Sequence, residues 1–128
     1  MKKSNSLLLA GALIASVPLS TEANAAAKIM NGVSCTSKQK NTTKTQKTKD
    51  IIDKYKCTTN PTATGSAKTK LVWVNQDCLD MDGFYKADVA ALAKIKLDAT
   101  ATATQISTQA ANVDAQKTWR SLACAKGY

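Results

Sequence analysis

The chain has no histidine, and its one glutamate, Glu22, lies in an apolar N-terminal leader. Without imidazole there is no histidine-based nucleophile triad, no histidine metal site and no general acid or base that titrates near neutrality unless perturbed. Once the leader is removed, any carboxylate pair for glycoside hydrolysis must come from aspartates alone, and no aspartate spacing singles out a pair. The four cysteines lack the C-x-x-C pairs of a zinc site, so in an exported chain they read as disulfides rather than metal ligands. No catalytic residue, metal or cofactor is expected. The segment Asp80-Met81-Asp82-Gly83 has the look of a calcium loop. With Gly83 at the sixth position, however, Cys78 and Val89 would occupy the first and twelfth, where carboxylates are required.

What is present begins with a leader. Met1-Lys2-Lys3 precedes an apolar block from Leu7 to Leu19 and the small-residue run Ala23-Asn24-Ala25, the three parts of a secretory signal peptide. The block is roughly 13 residues long, against the ~20 of a spanning helix, and contains Pro18. Residues 1–25 are therefore expected to be cleaved between Ala25 and Ala26. The product would be a secreted protein, extracellular or in the cell envelope, with no membrane span in the mature chain.

Removing Lys2, Lys3 and Glu22 leaves 16 basic and 8 acidic side chains, a net charge of +8. The whole excess lies in residues 26–76, where ten lysines face Asp50 and Asp53; residues 77–128 carry six basic and six acidic groups. Such a split raises the local concentration of polyanions at the front half. The candidate contact residues are Lys38, Lys40, Lys44, Lys47, Lys49, Lys54 and Lys56. Specific nucleic-acid binding is not expected, because residues 38–49 contain no aromatic on which a base could stack.

The hydrophobic pattern changes where the charge does. Residues 32–36 read as a short strand, residues 38–49 as an exposed hairpin arm or loop with no apolar side chain, and residues 50–59 as a strand with Tyr55, Cys57 and Thr59 on one face. Residues 70–74 read as its partner across a long loop. Beyond Asp77 the spacing of Tyr85, Val89, Leu92 and Ile95 predicts an amphipathic helix, with Asp77, Asp80 and Asp82 as caps at its start. A second stripe follows, Ile106, Ala110 and Val113. Trp119 and Leu122 stand nearly opposite it and are expected to bury against the Leu71–Cys78 segment, beside Trp73.

Cysteine geometry then selects a topology. A continuous helix from Cys78 to Cys124 would separate them by about 68 Å, whereas a disulfide needs Cα atoms within roughly 6.8 Å. A bend near residues 98–104 brings them together. The expected pairing is Cys35–Cys57 and Cys78–Cys124. The fold class is α+β: an antiparallel β-meander over residues 26–76, then a helical hairpin over residues 77–128.

The order Gly32-x-x-Cys35, Tyr55-x-Cys57 and Leu71-Val72-Trp73 resembles a small module near the N-termini of secreted actinobacterial proteins, in which a lysine-rich strand meander is tied by one disulfide. The resemblance spans about residues 30–75. The glycine-rich turns of that module are replaced here by Asp50–Asp53 and by a longer Asn60–Lys70 loop. It implies a secreted, non-catalytic accessory module with no assigned ligand. Together these features point to a binding or structural protein of the envelope or medium whose partner is an anionic envelope polymer or a protein. The alternative is a secreted effector of antimicrobial type.

Overall fold

The structure, a computed structural model, describes residues 28–127, so the expected leader and its cleavage point lie outside the described residues. The chain is α+β. Three antiparallel strands, β1 (Thr43–Thr48), β2 (Ile51–Thr59) and β3 (Leu71–Asn75), lie in the order β1-β2-β3, and two helices follow, α1 (Gln76–Leu97) and α2 (Ala103–Ala123).

β2 is the central strand. It pairs with β1 from Thr43↔Lys56 to Thr48↔Ile51, and with β3 from Tyr55↔Asn75 to Thr59↔Leu71. Strand alternation places Tyr55, Cys57 and Trp73 on one face and Lys54, Lys56, Val72 and Val74 on the other. The first face is covered by the N-terminal segment, with Ile29, Val33, Cys35 and Leu71 around the buried Tyr55, Cys57 and Trp73. The second packs on the helices, where Val74 meets Cys78, Ala123 and Cys124. The expected strand at residues 32–36 shrinks to the single bridge Ser34↔Val72. Gly32 sits at φ 85 and a 3-10 turn starts at Ser37, so the backbone is extended only between them.

Residues 38–49 contain a strand rather than a loop. Two residues, Asn41 and Thr42, face one across the ladder: Asn41 N donates to the Cys57 carbonyl at 2.8 Å and Cys57 N to the Thr42 carbonyl at 3.0 Å. This is a β-bulge, with Asn41 at φ 66, a left-handed conformation that asparagine adopts more readily than most side chains. β1 then forms mainly on backbone pairing, helped by the β-branched Thr43, Thr45 and Thr48.

β3 runs directly into α1. The N-cap is Asn75, whose side chain accepts from Asp77 N at 2.9 Å. This corrects the expectation for the three aspartates. Asp77 does lie in the first turn, Asp80 accepts from Gln76 Nε2 at 2.8 Å, and Asp82 is nearly two turns inside the helix, buried. There it pairs with Arg120 Nη2 of α2 at 2.7 Å and with Lys86 Nζ at 2.7 Å. The helices bend at residues 98–102. Thr100 donates its hydroxyl (2.7 Å) and its backbone N–H (2.8 Å) to Asp98 Oδ1, which holds the Asp98 carboxyl below its ordinary pKa. Thr102 and Gln105 then form a capping box that starts α2.

The interface between the helices mixes the apolar side chains of the two predicted stripes with polar pairs. Tyr85, Asp88, Leu92 and Ile95 are half-buried on α1, and Ile106, Gln109, Val113, Gln116 and Arg120 on α2; Val89, from the predicted stripe, is exposed. Gln109 Nε2 donates to the carbonyl and to the carboxylate of Asp88, both at 3.2 Å. Arg120 lies 4.8 Å from the Tyr85 ring centre and donates to the Pro61 carbonyl at 2.8 Å, fastening the β2–β3 loop to α2. Arg120→Ala leaves the buried Asp82 Oδ1 without its partner, Lys86 holding only Oδ2, and frees the Pro61 carbonyl; it is expected to cost about 3 kcal/mol. Lys86→Ala removes a partner whose side chain is 70 % exposed and should change stability by less than about 0.5 kcal/mol. Urea denaturation of both variants checks the contrast.

Candidate functional site

Two surfaces stand out, one on each half. The first is the arm made by β1 and the distal part of β2. Because β3 pairs only with residues 55–59, residues 51–54 and their β1 partners extend past the third strand. The two-residue turn Lys49-Asp50 ends the arm, with Lys49 at φ 52 and with Ile51 and Ile52 more than half exposed beside it. Gln46 Oε1 accepts from Ile29 N at 2.6 Å, tying the arm to the N-terminal segment.

The seven candidate lysines do not form one face. Lys47, Lys54 and Lys56 lie on the side of the sheet that carries Val74, with Lys56 directly opposite Val74 in the register. Lys44 is on the other side, its Nζ 5.1 Å from the Trp73 ring centre. Lys49 is at the tip, and Lys38 and Lys40 lie in and just after the 3-10 turn Ser37–Gln39. Among the described residues the ion pairs are those of Asp82 with Lys86 and Arg120, so none of the seven is neutralised by one. The surface therefore carries positive charge on both faces of the sheet, at the 3-10 turn and at the tip of the projecting arm, with no single cradle of lysines.

The second surface is a groove of about 940 Å³ on the helical hairpin, lined by Met81 and Phe84 of α1 and by Gln116, Trp119 and Leu122 of α2. Asp77, Ala123 and Ala125 complete it. Here the structure corrects the sequence expectation: Trp119 is 61 % and Leu122 56 % exposed, and neither reaches the Trp73 cluster. The end of α2 reaches the sheet through Ala123 and Cys124, and that turns Trp119 and Leu122 outward. Among the described residues Asp77 is the only ionisable one in the lining, so these residues offer apolar contact and no acid–base pair.

Both disulfides form as expected, Cys35–Cys57 and Cys78–Cys124. Sequence reasoning missed the asparagines that join the halves. The last carbonyls of α2 have no partner within the helix, and the β half supplies two. Asn31 Nδ2 donates to the Ala123 carbonyl at 2.7 Å and Asn60 Nδ2 to the Cys124 carbonyl at 3.2 Å. Asn31 Oδ1 also accepts from Asn75 N at 2.6 Å. The one signal for Asn60 was its place in a turn before Pro61. The signal for Asn31 was the Asn31-Gly32 turn dipeptide, with Gly32 at φ 85, which marks a turn but not a bridge to α2.

No family model, curated protein or solved structure matches the chain.

Proposed function

We propose that the chain is a small exported binding protein, without catalytic activity, whose lysine-rich arm contacts an anionic polymer of the cell envelope or medium. The observation that carries this reading is the set of lysines at residues 38–56, unneutralised by any ion pair among the described residues, with Lys47, Lys49 and Lys54 on the arm that projects past the third strand and the others on the adjoining strands and 3-10 turn. Charges on an extended arm stay hydrated until a polyanion arrives, and the attraction then decays over a Debye length of about 8 Å at physiological salt. The helical half, with equal numbers of basic and acidic groups, adds no such field. Paired cysteines and the resemblance to a secreted accessory module support export.

The test is binding to polyphosphate or heparin across a salt series. Affinity should fall steeply as salt rises. Replacing Lys38, Lys40, Lys44, Lys47 and Lys49 with glutamine should lower it by about a hundredfold or more at low salt, taking up to roughly 1 kcal/mol per lysine. Replacing Lys94, Lys96 and Lys117 of the helical half should change it little. Equal losses from both sets would mean that net charge alone, and not the arm, attracts the polymer.

A further inference from the structure

Asn31 and Gly32 are each required by the fold, for different reasons. Asn31 is 1 % exposed and bridges the two halves, donating from Nδ2 to the Ala123 carbonyl at 2.7 Å and accepting at Oδ1 from Asn75 N at 2.6 Å. Gly32 sits at φ 85 in a turn closed by Val33 N donating to the Met30 carbonyl at 3.1 Å, a conformation that glycine adopts at least cost. A Cβ at this position would also stand 3.2 Å from Lys126 Cγ. The fold therefore calls for an Asn-Gly pair, and no other asparagine of the chain precedes a glycine.

In a flexible chain that pair is reactive. The Gly32 main-chain nitrogen can attack Asn31 Cγ, because glycine has no side chain to hinder the approach and little to restrict it. The nitrogen gives its proton to a solvent base, the N–Cγ bond forms, the Cγ–Nδ2 bond breaks and ammonia leaves; water then opens the cyclic imide to aspartate or isoaspartate. Water is the only co-reactant, and nothing is oxidised or reduced. The folded chain holds every participant in place. Nδ2, the leaving group, and Oδ1 are fixed by the two bridging hydrogen bonds, and the nucleophile is engaged because Gly32 N donates to the Trp73 carbonyl at 3.0 Å. We propose that Asn31-Gly32 is a deamidation site gated by folding, closed in the native disulfide-bonded chain and open in chains that are reduced or have not folded. A chain that stays unfolded is then converted irreversibly. As a carboxylate, residue 31 has no proton for the Ala123 carbonyl, and as isoaspartate it adds a carbon to the main chain of the turn.

The test compares the native, disulfide-bonded chain with the same chain reduced and blocked by iodoacetamide, both held in warm, mildly alkaline buffer and followed by peptide mass spectrometry. In the blocked chain Asn31 should convert at least about tenfold faster than Asn41 and Asn112, whose successors Thr42 and Val113 are β-branched and stiff. In the native chain Asn31 should convert at least about a hundredfold more slowly than in the blocked one, because attack has to wait for the segment to open. A third measurement reads the consequence. Chain held reduced in guanidinium chloride and then reoxidised should separate by cation exchange into an amide form with the native urea midpoint and a more acidic form, deamidated at Asn31, with a lower one. Equal rates in the native and blocked chains, no lead of Asn31 over Asn41 and Asn112 in the blocked chain, or a deamidated form with the native midpoint would each overturn the assignment.

Discussion

Replacing Cys78 and Cys124 together with serine is expected to lower stability by about 4 kcal/mol, the unfolded-state entropy released when a 47-residue loop is opened. For a domain of this size that is a large part of the ~5–15 kcal/mol of total stability. The loss should fall on the helices first. Cys78 and Cys124 are buried in a small cluster with Val74 and Ala123, and this cluster is where both helices meet the sheet. Away from it the helix–helix contact has only half-buried apolar side chains such as Leu92, Ile95, Ile106 and Val113 and the polar groups of Asp82, Asp88, Gln109 and Arg120, whose hydrogen bonds each add only about 1 kcal/mol net. The variant also places two hydroxyls in an apolar site. Far-UV circular dichroism against urea should show a midpoint well below that of the native chain. The corresponding Cys35→Ser, Cys57→Ser variant opens a 23-residue loop, so about 3.4 kcal/mol is at stake. Its effect should appear in the near-UV signal of Tyr55 and Trp73, which pack around that bridge. An unchanged urea midpoint in the Cys78 and Cys124 variant would mean that helix packing alone holds the hairpin.

The disulfide pairing was legible because loop geometry and compartment restrict four cysteines tightly, and the β2–β3 hairpin because Tyr55, Cys57 and Trp73 alternate in a buried strand pair. β1 was harder to read as a strand. Its sequence, TKTQKT, has no apolar period, since it pairs by backbone hydrogen bonds on an arm that buries almost nothing. Trp119 and Leu122 misled for the opposite reason: large apolar residues read as core, and only the path of α2 against the sheet shows that they face outward. Periodicity does place them off the α2 stripe, which is the part of that reading that holds. Asp82 was taken for a cap because local rules reward carboxylates near a helix start, whereas its main partner, Arg120, is 38 residues away and only the folded hairpin brings it near.

Asn31→Ala should be nearly as damaging as loss of the second disulfide, at about 4 kcal/mol, although it removes neither a charge nor a large apolar group. Asn31 is 1 % exposed. Its side chain bridges the two halves, accepting from Asn75 N at 2.6 Å where β3 turns into α1 and donating to the Ala123 carbonyl at 2.7 Å where α2 ends. Truncation leaves a buried N–H and a buried C=O without partners, and each such group costs about 1–3 kcal/mol. Asn31→Asp separates this account from a simple packing defect. The carboxylate can still accept from Asn75 N, but it then faces the Ala123 carbonyl with no proton to donate, so the folded state should raise the pKa of this aspartate above its unfolded value. Stability linked to the protonated form is present at pH below the unfolded pKa and is lost as pH rises through the folded one. Relative to the native chain at each pH, Asn31→Asp should therefore recover stability on acidification, because the protonated carboxyl can again donate to the Ala123 carbonyl, while Asn31→Ala stays equally destabilised throughout. Urea midpoints for the three proteins across the acidic range measure this, and a constant offset for Asn31→Asp would show that the side chain fills space there without bridging the halves.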